Sequence, residues 1–228
     1  GLAVGAAQYV YHHVMGHPRV APIEHAYWDP ENPPDRIKEA LDGRGLSYRE
    51  LDVPSLAEET AKRIADGKVV GWYQGRSEWG PMALGNRSIV VDPRRADMKD
   101  TLNQRIKHRE TFRPFSPSIL EESVGEWFES DAPSPFMLMT YPVREEKREL
   151  IPAPTHVDGT GRLQTVSRDT NPAYHELISA FHRLTGVPVL WNTSFNESEP
   201  IVNSPEQALD CFGRTGMDAL AIGPYLVG

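Results

Sequence analysis

Between residues 69 and 91 the chain reads VVGWYQ, then a loop rich in glycine, then RSIVV. Both apolar runs are short, β-branched or aromatic, and predict buried strands. The loop over residues 75–85 that joins them holds no helix pattern, and links this short do not carry helical crossovers, so the sheet cannot be wholly parallel. Helix signals alternate with strand signals on either side. Ser55 and Glu58 form a capping box ahead of an apolar stripe of Ala57, Ala61, Ile64 and Ala65, with Gly67 as the stop. Met98, Leu102 and Ile106 recur at helical spacing and run into Lys107. Asn171 caps a helix with Pro172 at its first position and Leu177, Ile178, Phe181 and Leu184 on one face. Ser204, Pro205 and Gln207 open a last helix, which Gly213 is expected to end. Strands are predicted over residues 46–51, 118–120, 136–143, 187–191, 220–222 and 225–227. The class is α/β with a mixed sheet flanked by helices.

The flanks are less structured. Residues 1–15 read as a helix, residues 16–34 as a polar, proline-rich strap, residues 35–42 as a short helix and residues 144–150 as a charged, solvated connection. His12 and His13 are adjacent and point about 100° apart on a helix, so with His17 they read as surface histidines rather than metal ligands. The formal net charge of −8 argues against a general affinity for nucleic acid or anionic lipid. Cys211 is the single cysteine, which excludes an intrachain disulfide and suits a reducing cytoplasm. No apolar run is long enough to predict a membrane helix.

Against that acidic background, cations crowd into residues 75–117. Arg94, Arg95 and Lys99 read as salt-bridged surface groups on a helix. Lys107, Arg109 and Arg113 instead sit among Phe112, Pro114, Phe115 and Pro117, whose rigid apolar bodies hold cationic heads in fixed positions. Guanidinium and ammonium groups so placed suit a small polyanion. Neither GxxxxGK[ST] nor GxGxxG occurs, so a P-loop or Rossmann site is unsupported, and GxSxG is absent as well. Two further polar clusters remain. HVDGTGR (156–162) has turn glycines that present Arg162, and WNTSFN (191–196) follows a buried strand with Asn and Ser side chains that can serve either phosphate or the turn itself.

These stretches carry a resemblance. GRSEWGPMALGNRSIV, NQRIKHRETFRPFSPSIL, HVDGTGRLQTV, PVLWNTSFNESEPIV and DALAIGPYLV follow, in order, the C-terminal region of the O-carbamoyltransferases that decorate antibiotics and nodulation factors. The resemblance implies a YrdC-like mixed twisted sheet with a cationic nucleotide-binding cavity. It implies that this lobe binds carbamoyl phosphate and ATP, with Mg²⁺ held mainly by the nucleotide phosphates, and forms carbamoyl adenylate. A preceding acetate-kinase-superfamily domain would then pass the carbamoyl group to a small hydroxyl or amine acceptor. GLAVGAAQYVY looks like the end of that domain, which makes residues 1–34 its remnant plus linker and residues 35–228 the YrdC-like domain. Carried over motif by motif, Lys107 and Arg113 are catalytic phosphate ligands. Arg87, Arg109, Arg162, Asn192, Ser194 and Asn196 bind substrate or nucleotide, with Lys107–Arg109 and Ser194–Asn196 resembling the KxR and SxN pairs of YrdC proteins. The resemblance allows a homodimer.

The chain departs from the family pattern GPRALGNRS at Met82, which removes a charge and a bidentate donor; either Arg76 or Arg87 compensates, or that subsite binds anions weakly. Rival readings are a threonylcarbamoyladenylate-synthase-like enzyme and a catalytically weakened nucleotide-binding module.

Overall fold

The computed structural model describes residues 1–108, residue 110 and residues 115–228. Ten strands and seven α-helices are described, with four short 3-10 or π turns of helix. An eight-stranded sheet holds β1 (Tyr48–Glu50), β2 (Val70–Tyr73), β3 (Arg87–Val91), β4 (Ser116–Leu120), β7 (Gln164–Val166), β8 (Val189–Ser194), β9 (Ala219–Ile222) and β10 (Tyr225–Val227), in the order β1-β10-β9-β2-β3-β8-β4-β7. β2 pairs antiparallel with β3, as the short link requires, and parallel with β9. β8 lies antiparallel between β3 and β4, and β7 is parallel to β4. A separate two-stranded ribbon pairs β5 (Thr140–Pro142) with β6 (Thr160–Arg162).

Helices cover both faces. α3 (Val53–Ala65) and α6 (Pro172–Thr185) pack Leu56, Ala61, Ile64, Leu177, Ile178 and Phe181 over Val70, Val90 and Leu190. On the other face, α2 (Pro34–Asp42), α4 (Met98–Leu102) and α7 (Pro205–Thr215) pack over Ile89, Val91 and Trp191. The remaining helices are α1 (Leu2–Tyr9) and the short α5 (Val124–Trp127). No described helix is long and apolar enough to cross a membrane.

Several boundaries differ from expectation. α3 begins at Val53, and its cap is Asp52, whose Oδ1 accepts from Ser55 N at 2.8 Å. Pro54, with its fixed φ, suits the first turn, so the helix starts earlier than the Ser55 signal. α7 continues through Gly213 to Thr215, and the glycine that ends it is Gly216 at φ +61°. Leu184 is half exposed at the end of α6. Of residues 136–143 only Thr140–Pro142 is a strand, because Met137 sits at φ +53°, outside extended backbone. β6 and β7 were not anticipated. Each is three residues long, too short to show a period.

The strap before α2 crosses the loop over residues 75–86. Tyr27 donates its hydroxyl to Leu84 O at 2.8 Å, and Asn171 Nδ2 donates to Tyr27 Oη and Asn86 Oδ1. The loop reaches this depth at Gly85, where φ is +104° and an added Cβ would lie 2.1 Å from Tyr174 Cδ1. Gly85→Ala combines left-handed strain with overpacking and is expected to cost about 2–5 kcal/mol. Urea unfolding checks this, and a near-wild-type midpoint would show that the loop does not depend on that close approach.

Candidate anion site at one end of the sheet

The sheet's register collects polar residues at a single sheet end. Ser88 lies opposite Ser194, Asn192 opposite Ser116, and Ser118 opposite both Leu190 and Gln164. Because strand side chains alternate, these groups share the face that carries Val90 and Leu190 farther along. The apolar face thus turns polar at its end, under the 75–86 loop. Asn192 Nδ2 lies 3.1 Å from Ala83 O, 3.2 Å from Ser118 Oγ and 3.1 Å from Gln164 Oε1. Ser118 Oγ donates to Gln164 Oε1 at 2.6 Å, and Gln164 Nε2 donates to Leu84 O at 2.7 Å. Asn192 Oδ1 is buried and has no partner among the described residues.

Lys107 enters from the opposite layer. Met98, Leu102 and Ile106 anchor its helix as their spacing predicts, the last residues widening into a π-type turn over Asn103–Lys107. His108, at φ +44°, stops the helix there. The Lys107 ammonium meets Ser194 O at 2.5 Å, Asn196 O at 2.6 Å, Asn196 Oδ1 at 2.7 Å and Ser194 Oγ at 3.3 Å. Ser194 Oγ donates to Asn196 Oδ1 at 2.7 Å, and Asn196 Nδ2 is held by Glu199 O at 2.6 Å. The structure therefore brings Lys107, Ser194 and Asn196 into one cluster. Arg109 and Arg113 lie outside the described residues.

The two described arginines differ in what surrounds them. Arg87 is fully buried, stacked 3.7 Å from the Tyr73 ring centroid, and it donates to Gln74 O, Asn86 O and Gly75 O. Its terminal nitrogens are committed to holding the start of the glycine-rich loop. Arg162, at the end of β6, donates its Nε to Ser116 Oγ at 2.9 Å. Its terminal nitrogens have no hydrogen-bond or ion-pair partner among the described residues, and burial pushes its pKa down. A half-buried guanidinium with an open fork is a ready partner for phosphate or carboxylate. Arg76 is turned away toward the strap, donating to Asp29 O and Trp28 O. Met82 lies in an apolar cavity of about 280 Å³ with Trp28, Trp79 and Phe136. Arg95 pairs with the exposed Asp97 as a surface group, whereas Arg94 pairs with the buried Asp92, and both precede the helix they were expected on.

Sequence reasoning missed the residues that support this site. Ser116 and Ser118 stand at alternate positions of a strand, a pattern visible in the sequence, whereas Gln164 lies on a strand too short to show a period. Glu78 gave no such signal. Its Oε1 accepts from Leu84 N at 2.6 Å, Asn86 N at 2.8 Å and Arg87 N at 3.3 Å, which pins the loop over the strand ends. Burial raises the Glu78 pKa, with the backbone amides of Asn86, Leu84 and Glu78 itself and the Arg87 charge opposing it. The folded carboxyl therefore holds its proton to higher pH than the unfolded one. Its contribution to stability is full below the unfolded value, about 4.3, and is lost as pH rises through the folded value. Glu78→Gln should flatten this decline, so that its stability relative to wild type improves with rising pH. Urea midpoints across pH 4 to 8 measure it, and parallel wild-type and variant curves would contradict it.

Comparison with known proteins places this geometry in context. Residues 61–228 match a family model described as carbamoyltransferase C-terminus. The chain is 48% identical over 232 residues to nodulation protein NolNO of Sinorhizobium fredii, covering 100% of this chain and 34% of that protein. It is 42% identical over 172 residues to the 3'-hydroxymethylcephem-O-carbamoyltransferase of Amycolatopsis lactamdurans, covering 75% of this chain and 32% of that enzyme. The chain thus spans about a third of the length of these relatives. Among solved structures, full-length HypF in its phosphate- and nucleotide-bound form superposes with a TM-score of 0.50 over 78% of this chain and 22% of that one. Their sequence identity is 18%, so the likeness bears on the fold, and it agrees with the YrdC-like mixed sheet.

Proposed function

The chain belongs to the carbamoyltransferase C-terminus family, and from that premise we propose that it is the lobe that binds carbamoyl phosphate and ATP and forms carbamoyl adenylate. The observation that carries the reading is Arg162, a half-buried cation whose terminal nitrogens face no protein partner among the described residues. Leaving such a charge unmatched is costly, and an anion removes the cost. Lys107, held by the Ser194 and Asn196 oxygens, supplies a second fixed positive charge at the same sheet end. Arg109 and Arg113 belong to the proposed ligand set by family resemblance.

The chemistry asks for such a site. An adenylate carries one phosphorus, so the carbamoyl group must first leave its own phosphate. Water attack on carbamoyl phosphate releases inorganic phosphate and leaves carbamate. A carbamate oxygen then attacks the α-phosphorus of ATP, the bond to the β-phosphate oxygen breaks, and pyrophosphate departs with the electron pair. Negative charge grows on phosphoryl oxygens in both steps. Fixed cations stabilise it without reorganising, each by roughly 2–4 kcal/mol. Mg²⁺, held by the nucleotide phosphates, would neutralise charge on the leaving pyrophosphate. Asn192 and Ser194 orient nucleotide and phosphate, and Arg87 acts by holding the loop above them. Transfer to a hydroxyl or amine acceptor falls to the part of the full-length protein beyond this region.

Calorimetric titration with carbamoyl phosphate, and with ATP and Mg²⁺, tests the reading. Arg162→Ala is expected to weaken carbamoyl phosphate at least about tenfold, or about 1.4 kcal/mol. Unchanged affinity in a folded Arg162→Ala variant, or no wild-type binding at millimolar ligand, would overturn it.

A further inference from the structure

The turn that leads into β6 holds a titratable side chain that the reading above leaves unused. His156 N donates to Thr160 O at 2.7 Å and Gly159 N to His156 O at 2.9 Å, closing a tight turn. Its side chains form a relay. Thr160 Oγ1 lies 2.8 Å from Asp158 Oδ1, and Thr160 N donates to the same oxygen at 3.0 Å. The Thr160 backbone and hydroxyl bonds hold the Asp158 carboxyl below its ordinary pKa, so at neutral pH it only accepts. The Thr160 hydroxyl hydrogen therefore points at Asp158. The Thr160 oxygen, 3.1 Å from His156 Nδ1, must then accept a hydrogen from that ring nitrogen.

This ordering fixes the tautomer. The ring carries its hydrogen on Nδ1 and a lone pair on Nε2. His156 Nε2 is buried and has no partner among the described residues. Burial lowers the His156 pKa, Asp158 opposes the shift, and Arg162 and Lys99 add to it. The ring is thus neutral at neutral pH. Buried polar atoms without partners are few in native proteins and call for an explanation. Thr160 and Arg162 flank Gly161 on β6, so their side chains leave the strand on one side. Thr160 holds the His156 ring, and the Arg162 charge acts on that ring.

We propose that His156 Nε2 is the specificity-determining acceptor for the carbamoyl amide. It accepts an N–H of a carbamoyl phosphate whose anionic oxygens lie on Arg162. The inference rests on the carbamoyl phosphate reading of this site. A cation alone cannot tell carbamoyl phosphate from acetyl phosphate, which has the same charge and a methyl in place of the amine. A nitrogen that can only accept distinguishes them, because the methyl leaves it unpaired.

The test is the affinity ratio of the two acyl phosphates, measured by calorimetry on the full chain at neutral pH. Wild type should prefer carbamoyl phosphate by about tenfold or more. His156→Phe, which keeps a ring but no acceptor, should bring the ratio to within about twofold by weakening carbamoyl phosphate and leaving acetyl phosphate unchanged. If thermal melting shows that variant unfolded, Thr160→Val serves instead. It removes the oxygen that fixes the tautomer and should shrink the preference in the same direction. A preference retained in either folded variant would overturn the inference, as would a wild type that binds both ligands equally. A wild type that binds neither would remove the carbamoyl phosphate reading itself, and this inference with it.

Discussion

The ammonium of Lys107 ties the two halves of the structure together. It arrives from the helical layer packed on one face of the sheet and ends among the oxygens of Ser194 and Asn196, where β8 runs out. Charge-assisted bonds of this kind contribute about 1.5–3 kcal/mol each, and losing the lysine would leave the carbonyls of a half-buried turn without it. These four oxygens are neutral. They fix the position of the charge. A site for anions needs a fixed charge, since a mobile cation spends binding free energy on ordering.

The rest of the sheet end follows from that constraint. Once β8 is held at its tip, its register with β3 and β4 sets Ser88, Asn192, Ser116 and Ser118 side by side. The 75–86 loop closes over them through Glu78 below and Arg87 behind. Arg87 and Arg162 show how one residue type serves two ends. Arg87 has given its terminal nitrogens to backbone carbonyls and builds the loop. Arg162 has given only Nε and keeps its fork. The serine that receives Nε, Ser116, is the residue registered against Asn192, so the arginine is aligned by the same strands that carry the nucleotide-binding candidates.

Much of this was legible in the sequence, for reasons that are local. VVGWYQ and RSIVV reveal strands because β-branched and aromatic residues are concentrated there, and the connecting loop forces their antiparallel pairing. Met98, Leu102 and Ile106 deliver Lys107 because i, i+4 spacing is a property of one helix. Asn171 and Ser204 cap as their side chains predict. Where the reading failed, competition or distance was the cause. Asp52 outcompeted Ser55 as the cap because proline in the first turn let the helix begin earlier. Glu78 was invisible because its three partners are backbone amides six to nine residues away, and such bonds leave no trace in residue type. The Asn192–Ser118–Gln164 network needs three strands from distant parts of the chain, so spacing alone could not assemble it. Met82 was read as a charge missing from the site, and in the fold it lies with aromatic neighbours in an apolar cavity.

Fixed cations at this sheet end are proposed to serve carbamoyl adenylate formation. Exchange of labelled pyrophosphate into ATP, measured in the full-length protein that carries this region, addresses it most directly, because reversing adenylate formation returns label to the nucleotide. Exchange should require carbamoyl phosphate and be lost in Arg162→Ala. Exchange supported by threonine and bicarbonate but not by carbamoyl phosphate, or no exchange from a folded protein, would contradict it.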